Sequence, residues 1–190
     1  ILPVSCEILS DFITPIEAMR ILQNVSTHCY LLESAQANEA WGRYTFLGYD
    51  PKLEINCIDG HMKLGKLSVE TENPSEYIRQ ILSEYKSPKF DYLPSFTGGL
   101  VGYFSYDYLG YKEKSIRGKA RDTEDFKDVD LMLFDKVIAF DNLCQKIILI
   151  ANMSLDAPET GYNKAIVELK QLRELLMHGE KKQNMGGKLL

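Results

Sequence analysis

The stretch LMLFDKVIAFDNLCQKIILIA, residues 131–151, decides the fold class. Two apolar runs, 131–140 and 144–151, face each other across the turn-prone pair Asp141–Asn142. Val, Ile, Leu and Phe dominate both, which suits a pleated and buried surface. So short a connection joins antiparallel strands, because parallel strands need a crossover of a dozen residues or more. The stretch reads as a β-hairpin. Its neighbours must then cover an antiparallel sheet.

The same grammar recurs outward from the hairpin, with helices between. On the C-terminal side, residues 158–177 place Ala165, Ile166, Leu169, Leu172, Leu175 and Leu176 on the inward face of a long amphipathic helix. On the N-terminal side, RGKARDTEDFKDVD (117–130) is charged and turn-prone, the composition of a mobile loop. Its carboxylates Asp122, Glu124, Asp125, Asp128 and Asp130 are expected to be solvated, since the Gly and Glu positions of a calcium loop are not in place. Before it, SFTGGLVGYFSYDYLGY (95–111) lacks the endings of phosphate and dinucleotide loops. Interleaved Val, Tyr and Phe make it a strand, with Gly permitting a bulge or close backbone approach.

Further back, Asn73-Pro74-Ser75-Glu76 opens a helix that buries Tyr77, Ile78, Ile81, Leu82 and Tyr85. Residues 53–67 form a hairpin about the type I′ signal Asp59–Gly60, and further strands fall at 29–33, 44–49 and 53–58. The first helix has the clearest start. Thr14-Pro15-Ile16-Glu17 is a capping box with Pro at its first position, and Ile16, Met19, Ile21 and Leu22 share a face to about Asn24. Helices thus alternate with antiparallel hairpins, the pattern of an α+β domain. The tail HGEKKQNMGGKLL shifts to Lys, Gln and Gly, so residues 179–190 read as a linker after a domain spanning 1–178.

Composition excludes several classes. The 190 residues are 45% hydrophobic and 26% charged, the profile of a globular protein. A net charge of −5 without a basic cluster argues against nucleic acid. No apolar run reaches the ~18 residues of a membrane span. Cys6, Cys29, Cys57 and Cys144 lie far apart with no metal-ligand spacing, so they read as buried small hydrophobes in a reducing, cytoplasmic setting. His28, His61 and His178 have no nucleophile or carboxylate partner in a known pattern.

There remains LLES, residues 31–34, where a strand ends in a carboxylate and a hydroxyl, with Arg43 shortly after. Glu33 can pair with Arg43 across a hairpin while Ser34 begins a turn. The same set suits a zwitterion: an α-ammonium seeks a carboxylate, and a carboxylate seeks a hydroxyl or guanidinium.

LLES followed by WGRYTFLGYDP, and then FTGGLVGYFSYD, resembles the N-terminal region of the anthranilate synthase component I family of chorismate-utilising enzymes. Aminodeoxychorismate synthase component I has a related region and is the nearer alternative. The resemblance implies an α/β/β/α layering with sheets packed orthogonally. It implies that chemistry on chorismate, with Mg²⁺ and ammonia from a glutamine amidotransferase subunit, belongs to a C-terminal chorismate-binding domain beyond this sequence. It also implies an effector site for tryptophan at Glu33 and Ser34, near Pro15 and with Arg43 as a looser member, completed by that second domain. On this basis no catalytic or metal-binding residue is expected here and the region is expected to be inactive alone. A stand-alone amino-acid-binding module is the competing class.

Overall fold

The computed structural model describes residues 1–33, 42–113, 115 and 126–182. In chain order the elements are β1 (Leu2–Leu9), α1 (Pro15–Val25), β2 (Cys29–Leu32), β3 (Tyr44–Tyr49) and β4 (Leu53–Ile58). There follow β5 (His61–Leu64), β6 (Leu67–Glu70), α2 (Pro74–Glu84), β7 (Gly99–Phe104) and a 3-10 helix (Tyr106–Tyr111). The chain then forms β8 (Val129–Phe134), β9 (Lys136–Asp141), β10 (Lys146–Met153) and α3 (Pro158–His178). The strands make two five-stranded antiparallel sheets, ordered β1-β10-β9-β3-β2 and β6-β5-β4-β8-β7. The fold class is α+β, as the alternation of helices and hairpins required.

Two compact units divide the chain. The first takes its described residues from Ile1–Asp50, Pro88–Thr97 and Lys136–Leu190, and contains the first sheet with α1 and α3. One face of that sheet presents Leu47, Ile138, Phe140, Ile147 and Leu149 to Ala18, Ile21 and Leu22 of α1 and to Ala165, Leu169, Leu172 and Leu176 of α3. The other face presents Val137, Ala139, Ile148 and Ile150 to Leu93, with Phe90 and Phe96 packed alongside. Both faces are buried, which is why β9 and β10 read as unbroken apolar runs.

The second unit comprises Pro51–Ser87 and Gly98–Asp135. Its sheet buries one set of alternating residues, Ile55, Cys57, Met62, Val129 and Leu131, against Ile78 of α2. The alternate residues Glu54, Ile58, His61 and Lys63 are exposed.

Several expectations are corrected. The run 131–140 is not one strand: it breaks at Asp135, with β8 in the second sheet and β9 in the first. The charged pair in mid-run marks the bend. Asp135 meets Lys52 at 3.9 Å, and Lys136 meets Asp50 at 2.8 Å. Asp128 and Asp130 do not lie in a solvated loop either. Asp128 is buried, and Asp130 is half-buried inside β8 with Lys127 at 2.9 Å. Asp122, Glu124 and Asp125 lie outside the described residues.

Strands β1 and β6 add to the strands expected from sequence. In β1, Leu2, Val4, Cys6 and Ile8 alternate towards the first core, and Pro3 is tolerated because β1 is an edge strand. β6 arises because Gly65 turns the chain again after β5 (φ 59°), so residues 53–67 contain one hairpin and start another. Ile16 is exposed, and Ala18 takes the inward place in α1. Cys144 is exposed in the β9–β10 turn, while Cys57 is buried and Cys6 and Cys29 are half-buried.

Candidate functional site

The strand β2, which leads to Glu33, packs on the first unit's core. β2 pairs with β3 from Cys29↔Tyr49 to Leu32↔Phe46. Cys29 and Leu31 face the α1 side, and Tyr30 is buried on the other, its ring edge-on to Phe96 with centroids 6.4 Å apart. The Tyr30 ring occupies the space a Cβ would need at position 48, so Gly48 lets β2 and β3 close over it. Pairing ends at Leu32, and Glu33 follows exposed. Ser34 lies outside the described residues.

Pro15 stands at the first position of α1, half-buried. The predicted capping box is present in full: Glu17 N–H donates to Thr14 Oγ1 (3.3 Å), and Thr14 N–H donates to Glu17 Oε2 (3.1 Å). Pro15 and Glu33 both belong to the first unit, and α1 packs against the strand that carries Glu33.

Arg43 is engaged elsewhere. Its Nε donates to Asp141 Oδ1 (3.1 Å) and its Nη2 to Asp141 Oδ2 (2.7 Å), a two-pronged clamp. The guanidinium also lies 4.9 Å from the Tyr44 ring centroid. Asp141 is fully buried and accepts two further bonds, from Leu143 N–H (3.2 Å) and Cys144 N–H (3.1 Å). Burial pushes the Asp141 carboxyl up, but the guanidinium and the Cys144 N–H outweigh it and hold the pKa at about 2. Arg43 therefore fastens the start of β3 to the β9–β10 turn, and the cross-strand pair it makes is with Asp141. Sequence reasoning saw Asp141 as a turn residue only. Its place immediately after an apolar strand was the available signal.

A second polar cluster, unforeseen from the sequence, lies in the second unit. Tyr111 Oη donates to Asp128 Oδ2 (2.7 Å), accepts from Gly60 N–H (2.6 Å) and lies 3.4 Å from Cys57 Sγ. Asp128 Oδ2 also accepts from Asp59 N–H (2.8 Å). Burial, then the bonds to Cys57 and Asp128, push the Tyr111 hydroxyl well above its usual range, and burial raises Cys57 likewise. Both groups are held neutral, which suits a clamp on the Asp59–Gly60 turn and does not suit an activated nucleophile.

The remaining candidates are structural as well. His61 pairs across the hairpin with Glu70 (3.5 Å), and His178 lies 3.6 Å from Glu174. Gly102 sits in β7 at φ 150°, and a Cβ there would overlap Asp130 O. The Gly cluster thus serves close strand approach. Among the described residues no group of three His, Cys, Asp or Glu is placed to bind a metal. Asp128 is taken by N–H and O–H donors and Asp130 by an ammonium, so these carboxylates do not fit Mg²⁺. Among the described residues no helix is long and apolar enough to cross a membrane.

Comparison with known proteins gives a consistent picture. No protein-family model matches the chain. It is 36% identical to anthranilate synthase component 1 of Pseudomonas aeruginosa over 92% of the chain, and 32% identical to that of Acetivibrio thermocellus over 93%. In each case it spans 36% of the relative's length. Among solved structures it resembles anthranilate synthase component I from Streptococcus pneumoniae, with TM-score 0.55 and 26% identity, covering 87% of this chain and 36% of that one.

Proposed function

This chain belongs to the anthranilate synthase component I family, and we propose that it is the tryptophan-sensing part of an enzyme making anthranilate and pyruvate from chorismate. The observation that carries the proposal is Glu33, an exposed carboxylate delivered by a strand whose partners are otherwise apolar. A carboxylate in that position suits the ammonium of an amino acid, and Ser34 next to it suits the carboxylate. Pro15 supplies an apolar edge from the start of α1. Arg43 takes the lesser part, because its Nε and Nη2 already bind Asp141.

The chain spans about a third of its relatives' length. We assign the chorismate chemistry, Mg²⁺, and ammonia delivery by a glutamine amidotransferase partner to polypeptide beyond it, and we expect no catalysis from residues 1–190 alone. A site built from one side only should hold tryptophan weakly. Both relatives above bear the anthranilate name, which favours that product over aminodeoxychorismate.

The test uses the whole polypeptide of the reading frame that carries this sequence. Supplied with chorismate, ammonia and Mg²⁺, it should form fluorescent anthranilate and be inhibited by tryptophan. Glu33→Gln and Ser34→Phe should each raise the half-inhibitory tryptophan concentration by about tenfold or more, within the coupling range of known effectors. Formation of aminodeoxychorismate instead would overturn the assigned product. Anthranilate formation indifferent to tryptophan would leave the activity and remove the sensor.

A further inference from the structure

The residues after α3 are fastened along α1. Gly179 ends α3, its N–H donating to Leu175 O at 2.8 Å. A Cβ at this position would overlap Leu175 O and Ile21 Cγ2, so the chain leaves α3 in direct contact with α1. Each of the next three residues then bonds to that helix. Glu180 O accepts from Asn24 Nδ2 (2.6 Å), and Lys181 Nζ pairs with the Glu17 carboxylate. Lys182 donates its N–H to Arg20 O (3.1 Å) and accepts from Arg20 Nε (2.9 Å).

The partners Glu17, Arg20 and Asn24 are spaced by three and four residues and so share one stripe of α1. From Glu180 to Lys182 the backbone contacts move from Asn24 to Arg20, towards the first turn. That turn holds Pro15 and the capping box. Glu17 closes the box and binds Lys181 with the same carboxylate, so cap and strap are joined through one side chain. The Lys181 bond, then the Thr14 N–H, lowers the Glu17 pKa, consistent with a carboxylate held ionised between them.

We propose that residues 179–182 form a coupling strap, transmitting the position of α1 at the tryptophan site to the polypeptide that follows Lys182. The proposal rests on the tryptophan reading above. An effector moves a remote equilibrium only through an element whose arrangements it favours unequally. Tryptophan lodged beside Glu33 and Pro15 bears on α1, and the strap is fastened to α1 by contacts that side-chain exposure keeps individually weak. The bonds of Glu180, Lys181 and Lys182 can therefore loosen while Gly179 stays packed against Ile21.

The experiment compares the whole polypeptide with its Arg20→Ala/Lys181→Ala variant, reading tryptophan affinity by calorimetry and inhibition by anthranilate fluorescence. The variant should bind tryptophan within about twofold of the parent, yet need about tenfold more for half inhibition or reach a lower maximal inhibition. Lys181→Glu, which sets like charges against Glu17, should act in the same direction. Inhibition equal to the parent's in both variants overturns the strap and leaves the tryptophan reading standing. Affinity and inhibition lost together overturn coupling and make the strap part of the site. A parent that neither binds nor responds to tryptophan overturns both proposals.

Discussion

The two sheets of this chain solve the same problem with different sequences. In the first, β9 (KVIAFD) and β10 (KIILIANM) are apolar at nearly every position, because α1 and α3 cover one face and residues 88–97 the other. In the second, β4 (LEINCI) alternates, because α2 covers only the Ile55 and Cys57 side. An unbroken apolar strand thus records burial of both faces and an alternating one burial of a single face. The contrast extends to polar groups. The first unit's clamp is an ion pair, Arg43 on Asp141, and the second's turns on a hydroxyl, Tyr111 Oη, which donates to Asp128 and meets Gly60 N–H and Cys57.

The most direct way to break this comparison is to cut into the second face of each sheet. Ile148, on the residue 88–97 side of the first sheet, is 1% exposed. Ile148→Ala should cost about 2–4 kcal/mol, as truncation of a close-packed isoleucine does. Asn56→Ala, on the alternate face of β4, should cost under about 1 kcal/mol. Urea denaturation monitored by circular dichroism compares them, and equal costs would erase the distinction between the sheets.

The clamps should separate by pH. Asp141 has a folded pKa of about 2 against an unfolded value of ~3.9. The folded value is the lower, so its contribution is present above pH ~4 and fades as pH falls towards ~2. It amounts to at most about 2–3 kcal/mol, and Arg43→Ala should remove most of it and flatten the acid side of the stability curve. A variant curve as steep as the parent's between those pH values would refute the ionic clamp. Tyr111 has a raised folded pKa, so its contribution is present below pH ~10 and fades as pH rises beyond. Tyr111→Phe should cost about 1–2 kcal/mol near neutrality and leave a shallower alkaline loss, read from thermal melts across pH.

Most of the fold was legible because most elements carry local signals. The capping box, the Asp59–Gly60 turn and the α3 periodicity require no knowledge of distant residues. What escaped depended on pairing. The charged pair Asp135–Lys136 marks a break, but that β8 and β9 join different sheets is decided by partners 80 or more residues away, Leu53↔Leu133 and Leu47↔Ile138. In β1, Leu2, Val4, Cys6 and Ile8 recur at every second position, but Pro3 argues against a strand until its edge position is known. For the candidate site residues only positions along the elements were legible. Glu33 at a strand end and Pro15 at a helix start could be placed from sequence. The engagement of Arg43 by Asp141, 98 residues away, could not. Nor could the Tyr111–Asp128 cluster, which gathers residues from a turn, a 3-10 helix and the approach to β8.

The two N-terminal helix caps sharpen the comparison at its smallest scale. Thr14 and Asn73 both precede Pro at the head of an eleven-residue helix, with Glu three positions on. Sequence alone makes them equivalent. In the first unit Thr14 caps α1 through its hydroxyl and exchanges bonds with Glu17. In the second, the Asn73 side chain makes no bond to the α2 backbone; its Nδ2 donates to Glu76 Oε1 (2.6 Å) and its Oδ1 accepts from Ser75 Oγ (2.6 Å). Thr14→Ala leaves a helix N–H without its acceptor and should cost about 1 kcal/mol. Asn73→Ala removes one exposed and one half-buried side-chain bond but no backbone cap, and should cost a few tenths, about the worth of a helix-surface pair. Paired melts of the two variants decide the matter: a loss at Asn73 as large as at Thr14 would mean that α2 is capped in solution as α1 is, and that equal sequence grammar does give equal ends.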